Sequence, residues 1–204
     1  MLAGGAKVEA FDSEVKVDTS GQVKPWLVYS LEATPKPDYG DGKALMRIAF
    51  ADALKKESFA VLKLKGEYQD YEGFKNTMMV LNDSKLLRQH YIDYGAERRE
   101  QDLNYWAKAA LQPHIEHKGH LFVTDLRFNN EHEYACKTFS RTASTRLFRS
   151  DVAIPPADVQ SEHELDWLQT DYLLLTTPED FESALKHFPQ YKDYKLRWVI
   201  VPAT

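Results

Sequence analysis

The feature that most constrains the fold is a short apolar run followed at once by a charged set, in residues 119–134. The run 121–124 is typical of a buried strand. Polar side chains come directly after it: Asp125, Arg127, Asn129, Asn130 and Glu131. Positions 125 and 127 alternate with apolar ones, which predicts an extended chain with both polar groups on one side. Open α/β sheets bind ligands at the carboxyl ends of their strands, so the pattern predicts either a phosphate and cation site or a salt-bridged strand end.

Short apolar strands alternate with helical patterns along most of the chain, which predicts βαβ units. We expect strands at residues 25–31, 46–50, 121–124, 145–148 and 172–175, with an edge strand at 195–201. Helices are expected after Asp52 as a cap, and at about 84–95, 102–111, 130–139 and 179–188. The expected fold class is α/β, with three layers and a mostly parallel central sheet flanked by helices. Residues 1–24 are expected to form a polar arm, and 25–204 a single domain.

Net charge, cysteine count and the lengths of the apolar runs argue against several classes of function. A net charge of −5 over 204 residues argues against a broad basic surface for a nucleic acid polymer. The single cysteine, Cys136, excludes an internal disulfide and fits a reducing compartment; its apolar neighbours predict a buried thiol. No run is long enough to span a bilayer and no signal peptide is evident, so we expect a cytoplasmic protein without a membrane partner.

Two segments concentrate arginine. Residues 88–106 contain Arg88, Asp93, Arg98, Arg99 and Trp106, a set that suits a phosphate beside a planar base or, alternatively, a solvated helix face. Arg146 and Arg149 precede a polar, proline-broken segment. They are either flap arginines that reach a phosphoryl group or surface arginines beside a loop.

A third segment, residues 161–166, reads SEHELD. Ser161 and Glu164 have the spacing of a capping box, which is a structural device. Glu162, together with His163 and Asp166, could still face a ligand.

A phosphate-cradling loop of the form G-x-x-x-x-G-K-[ST] is missing after the first strong strand. Lys43 follows Gly40 and Gly42 there, but no Ser or Thr follows Lys43 and no helix intervenes before the next strand. The backbone loop that holds a nucleotide triphosphate is therefore not evident in the sequence, and Lys43 is kept only as a candidate cofactor-binding residue.

The order of these motifs resembles the viral and phage type of deoxynucleoside monophosphate (dNMP) kinase, a group of P-loop kinases. The resemblance covers about residues 46–185. It is carried by AFADALKKE (49–57), RQHYIDYGAERREQDLNYWAKAA (88–110), VTDLRFNNEHE (123–133), TRLFR (145–149) and SEHELD (161–166).

The resemblance implies phosphoryl transfer from ATP to a dNMP, with Mg²⁺ bridging phosphate oxygens. It implies a substrate site formed by Arg88, Asp93, Arg98, Arg99, Trp106, Glu131, Ser161, Glu162 and Glu164. Asp125, Arg127, Arg146 and Arg149 would be catalytic, Asp125 would also bind the metal, and Lys43 would contact ATP.

The missing phosphate-cradling loop leaves several interpretations of the chain open. The chain could be a fragment, a degenerate paralogue that binds nucleotide without transferring phosphate, or a kinase that holds ATP in an unfamiliar way. A scaffold protein whose arginines serve only salt bridges is a further hypothesis. The sequence does not decide the preferred base, nor between a monomer and a homodimer.

Overall fold

In the computed structural model, residues 7–10, 26–34, 45–80, 85–153 and 163–201 are described. The chain divides into two compact units: unit 1, from Met1–Asp38 and Ala143–Thr204, and unit 2, Tyr39–Thr142, which is inserted between the two parts of unit 1 along the chain. The sequence had predicted a single domain from residue 25 onward.

Unit 1 combines one mixed sheet with a helix. Its elements are β1 (Lys7–Ala10), β2 (Trp26–Ser30), β7 (Thr145–Leu147), β8 (Tyr172–Leu175), α5 (Glu179–His187) and β9 (Lys195–Val201). The strand order is β1-β9-β2-β8-β7. The pairs β1–β9, β9–β2 and β2–β8 are antiparallel, and β7–β8 is parallel. Leu27 and Tyr29 on β2 pack with Leu173 and Leu175 on β8 in a core closed by α5.

Unit 2 is built from helices around a short parallel strand pair. Its elements are β3 (Leu45–Ile48), α1 (Phe50–Val61), β4 (Met79–Val80), β5 (Lys85–Leu86), α2 (Leu87–Gln101), α3 (Tyr105–Leu111), β6 (His120–Val123) and α4 (Asn129–Thr138). β3 and β6 pair in parallel with Ile48 opposite Val123, so their carboxyl ends meet at one edge. Ile48 packs with Phe50 and with Ala107 and Leu111 of α3.

The structure confirms a mixed fold of helices and sheets, and it confirms most strand and helix positions to within a few residues. The mostly parallel central sheet is wrong, because the described part of unit 1 has a mainly antiparallel sheet. β9 is also not an edge strand, since it lies between β1 and β2. The apolar run in its second half, residues 198–201, suits an interior strand.

The prediction of a buried Cys136 is also wrong. The thiol is exposed on α4, and Thr142 donates a hydrogen bond to its sulfur at 3.4 Å. The face of α4 that packs into the core carries Tyr134, Ala135 and Phe139. Cys136 lies about 100° around the helix from Ala135 and so points away from that core.

Within the described ranges, no helix is both long and apolar enough to cross a membrane.

Candidate functional site

The carboxyl edge of the β3–β6 pair is organised by Asp125. Its two carboxylate oxygens accept the backbone N–H groups of Phe50 and Ala51, each at 2.8 Å. These N–H groups belong to the first turn of α1, where backbone donors lack helical partners and the dipole favours a negative charge. Asp125 therefore fastens the end of β6 to the start of α1.

Asp52 was expected to cap α1, and that prediction is wrong. The helix begins at Phe50 after an extended Ala49, so Asp52 lies inside the first turn. Its carboxylate pairs with Arg47 at 3.2 Å instead. A carboxylate distant in sequence, Asp125, takes the capping role.

Glu131 is the buried carboxylate of this edge, with 4% of its surface exposed. Its Oε2 accepts the N–H groups of Arg127 at 3.0 Å and Phe128 at 3.1 Å, at the start of α4. Burial, helped by the negative charge of Asp125, raises the pKa of Glu131 to about 7 against the lowering effect of its backbone donors and of Arg99. Asp125, which follows β6, thus binds the first turn of α1, and Glu131, in the first turn of α4, binds the backbone just before its own helix.

Arg99 brings positive charge from α2 to the same edge. Its guanidinium lies over the Phe128 ring, 4.7 Å from the centroid, which is cation–π geometry. Its effect on the pKa of Glu131 places it near that carboxyl. The structure therefore brings together Asp125, Glu131 and Arg99 of the predicted site residues, while the side chain of Arg127 is exposed on the adjoining loop.

A second polar cluster, the Glu57 hub, joins α1, α2 and α3. The carboxylate of Glu57 accepts the hydroxyls of Tyr94 at 2.6 Å and Tyr105 at 2.8 Å and pairs with Arg98 at 3.1 Å. The guanidinium of Arg98 also lies over both tyrosine rings, 5.1 and 5.3 Å from their centroids. The hydrogen bond to Glu57 and burial raise the pKa of Tyr105, so its hydroxyl keeps the proton that it donates.

The Glu57 hub depends on the close approach of α1, α2 and α3. A Cβ at Gly95 would lie 2.6 Å from a methyl carbon of Leu54, so glycine lets α2 approach α1 here. Trp106 donates its indole N–H to the Gly95 carbonyl at 3.0 Å, which fixes α3 against α2. Trp106 is only 2% exposed, which leaves its ring little surface for stacking on a base.

The remaining predicted residues of α2 do not gather at one point. Arg88 lies in the first turn and is exposed. It is about 16 Å along the helix axis from Arg99. Asp93 pairs with Lys85, and hydrogen bonds from Lys85 and Gln89 lower its pKa. About 140° around the helix separates Asp93 from Arg88, so the two side chains point to different sides.

In unit 1, Arg146 is held by its own unit. It donates to the Tyr191 hydroxyl at 3.1 Å and pairs with Asp166 at 3.3 Å. Its guanidinium lies over the Phe188 ring at 4.3 Å, and only 14% of the side chain is exposed. These contacts tie β7 to the segment around residue 166.

Arg149 lies on the wall of a cleft of about 370 Å³ in unit 1, which is also lined by Trp26, Ser150, Asp151, Thr176, Thr177 and Asp180. Its guanidinium donates two hydrogen bonds to the Asp151 carboxylate, at 2.9 and 2.7 Å, and about half of the side chain is exposed.

Asp180 forms the floor of the cleft and is 3% exposed. It accepts the backbone N–H of Ser150 at 3.2 Å and of Thr177 at 3.1 Å, the Thr176 hydroxyl at 2.8 Å, and the Ser150 hydroxyl. Burial opposes its ionisation, but these hydrogen bonds outweigh burial and lower its pKa.

Three predicted residues, Lys43, Ser161 and Glu162, lie outside the described residues. Glu164 is half-buried, and the neighbouring His163 pairs with Asp166 at 2.7 Å. In the chain as described, no group of three or more His, Cys, Asp or Glu side chains could hold a metal ion. Both oxygens of Asp125 are also bound by backbone donors, so the described residues do not fit a ready-made Mg²⁺ site.

Comparison of the chain with protein-family models, with curated proteins and with solved structures gave no match.

Proposed function

We propose that this chain is a nucleotide-binding protein of the dNMP kinase type, with phosphoryl transfer from ATP to a dNMP as its reaction. The observation that carries the proposal is the carboxyl edge of the parallel β3–β6 pair, where Asp125 meets the start of α1 and the Arg99 guanidinium lies over the Phe128 ring. Ligands of open α/β folds bind at such edges. A P-loop-kinase-like core in unit 2, built on the parallel β3–β6 pair, and a cytoplasmic location belong to the same proposal.

The arginines of α2 supply the charge that a monophosphate needs. A guanidinium binds phosphate oxygens through parallel N–H donors, and Arg98 and Arg99 each present one from neighbouring positions of the helix. Arg98 keeps 30% of its side chain exposed, so an anion can reach it. Binding of the dNMP is therefore assigned to unit 2.

A second function, nucleotide binding without phosphoryl transfer, is favoured by two observations. Asp125 already uses both carboxylate oxygens at the start of α1, and Arg146 is fixed inside unit 1 rather than extended toward solvent. Phosphoryl transfer depends on positioned cations around the transferring group, so their absence lowers the rate by several orders of magnitude. ATP and Mg²⁺ as co-substrates stay predictions from the resemblance.

Two measurements on the full chain test the proposal. Calorimetry with each of the four dNMPs measures binding, and a coupled assay of ADP release with ATP and Mg²⁺ measures transfer. We expect Arg98→Ala to weaken dNMP binding by about tenfold or more, because a charge-assisted hydrogen bond is lost. Arg141→Ala, which removes an exposed arginine elsewhere in unit 2, is the matched control.

Each outcome decides between the alternatives. Binding together with ADP release supports the kinase, whereas binding without ADP release supports the second function. If none of the four dNMPs binds at millimolar concentration, both functions are wrong and the arginines serve only structural contacts.

A further inference from the structure

The Glu57 hub holds one edge of a guanidinium in place and leaves the other edge toward solvent. Arg98 directs Nε and Nη2 to the Tyr94 hydroxyl, at 3.2 and 2.9 Å, and Nη2 also pairs with Glu57. Its other terminal nitrogen, Nη1, contacts Gln101 at 3.4 Å, near the limit for a hydrogen bond. The guanidinium is thus oriented on one side and weakly bound on the other.

Glu57 is also held by two groups other than Arg98. The two tyrosine hydroxyls reach it at 2.6 and 2.8 Å from different helices, α2 and α3. The carboxylate therefore keeps its place whether or not Arg98 is bound to a second anion.

We propose that Glu57 is a positioning residue: it holds Arg98 so that the weakly bound Nη1 edge of the guanidinium receives the monophosphate group of a dNMP. The inference rests on the proposed function and adds to it a residue on α1 that was not among the predicted site residues. Orienting a long, flexible side chain before the ligand arrives removes part of the entropy cost of binding.

The opposite role, in which Glu57 competes with phosphate for Arg98, makes the opposite prediction. A competitor would be held mainly by Arg98 and would have to be released when the ligand binds. The two tyrosine bonds argue against that, because they fix Glu57 without the arginine. Removing the charge of Glu57 should therefore weaken phosphate binding if Glu57 positions Arg98, and strengthen it if Glu57 competes.

The test combines an isosteric substitution with a double-mutant cycle. Calorimetry with the four dNMPs is carried out on wild type, Glu57→Gln, Arg98→Met and the double variant. We expect Glu57→Gln to weaken binding about tenfold, because the amide removes the negative charge that pairs with the guanidinium and leaves at most a neutral hydrogen bond. Glu57→Gln should have no effect in the Arg98→Met background, since the residue acts only through Arg98.

Glu100→Gln is the matched control, because it removes one exposed carboxylate from the end of α2 that also carries Arg98. Equal weakening by Glu57→Gln in both backgrounds would show a general structural role and overturn the inference. Unchanged or tighter binding by Glu57→Gln would overturn it as well.

Failure of this inference differs from failure of the proposed function. If wild type binds a dNMP and Glu57→Gln binds it equally well, the function stands and the positioning role is wrong. If wild type binds no dNMP, both are wrong.

Discussion

Asp180 in unit 1 and Glu131 in unit 2 are buried alike, at 3% and 4% exposure, and each lies in the first turn of a helix. Nevertheless, hydrogen bonds lower the pKa of Asp180, whereas burial raises the pKa of Glu131 to about 7. Asp180 receives hydroxyl donors from Ser150 and Thr176 in addition to backbone donors. Glu131 receives backbone donors and faces the charge of Asp125. At equal burial, the surrounding donors and charges decide whether a carboxyl stays ionised.

The largest effect is expected from Asp180→Ala, which leaves the donors of Ser150, Thr176 and Thr177 without their acceptor. We expect the free energy of unfolding to fall by about 4 kcal/mol at pH 7, because buried donors lose charge-assisted hydrogen bonds. Urea unfolding followed by tryptophan fluorescence measures the change. Glu182→Ala, an exposed carboxylate in the same helix turn, is the control. Equal losses in the two variants would show that Asp180 acts only through the helix dipole.

The second-largest effect is expected in the pH dependence of stability, which should have opposite signs for Glu131 in unit 2 and Asp180 in unit 1. The folded pKa of Glu131, about 7, lies above its ordinary value of 4.5. Its stabilising contribution is therefore complete below about pH 4.5 and is lost as the pH rises through 7, a change of about 3 kcal/mol. The depressed pKa of Asp180 gives the reverse, a contribution present above its ordinary pKa of 3.8 and lost on acidification through its folded pKa.

Wild type and Glu131→Gln are compared by urea unfolding from pH 4.5 to 8. As the pH rises, the free energy of unfolding of wild type should fall relative to that of Glu131→Gln. Glu133→Gln, an exposed position on α4, should show a flat difference. A flat profile for Glu131→Gln would mean that the Glu131 carboxyl is ionised in the fold across this range.

The smallest effect is expected from Thr176→Val, which removes one donor to Asp180 and keeps the shape of the side chain. We expect a loss of about 1 kcal/mol. The pKa of Asp180 should rise toward its ordinary value, which a carboxyl NMR titration measures. The control is the same substitution at another threonine of unit 1, Thr145→Val on β7. No change in the pKa of Asp180 would show that the donor count does not explain the difference between the two carboxylates.

Local pattern predicted the elements of the fold better than their pairing. The strand at Tyr172–Leu175 and the helices α4 and α5 follow from apolar runs and turn residues that lie within each segment. The direction of β9 against β2 does not, because that antiparallel pair joins segments about 170 residues apart. Alternation of strands and helices suggested parallel units, whereas three of the four described strand pairs in unit 1 are antiparallel.

The candidate site was predicted in the same partial way. Charged residues directly after a strand identified Asp125 and Glu131, whose neighbourhood is set by the loop itself. Glu57 and Tyr105 were missed because their contacts with Arg98 depend on the packing of three helices. The one local signal was the i,i+4 spacing of Tyr94 and Arg98 on α2, which brings a tyrosine hydroxyl beside a guanidinium.

The insertion of unit 2 between β2 and β7 sets the order in which a growing chain can fold. Residues 39–142 form a continuous stretch, so unit 2 has all its partners once residue 142 has left the ribosome. β2 is made early, but its partners β8 and β9 come about 145 and 170 residues later. Because domains fold as units during synthesis, we expect β2 to wait unpaired while the inserted unit is already formed. β9, which is made after β8, then enters the sheet between β1 and β2, the two earliest of its described strands.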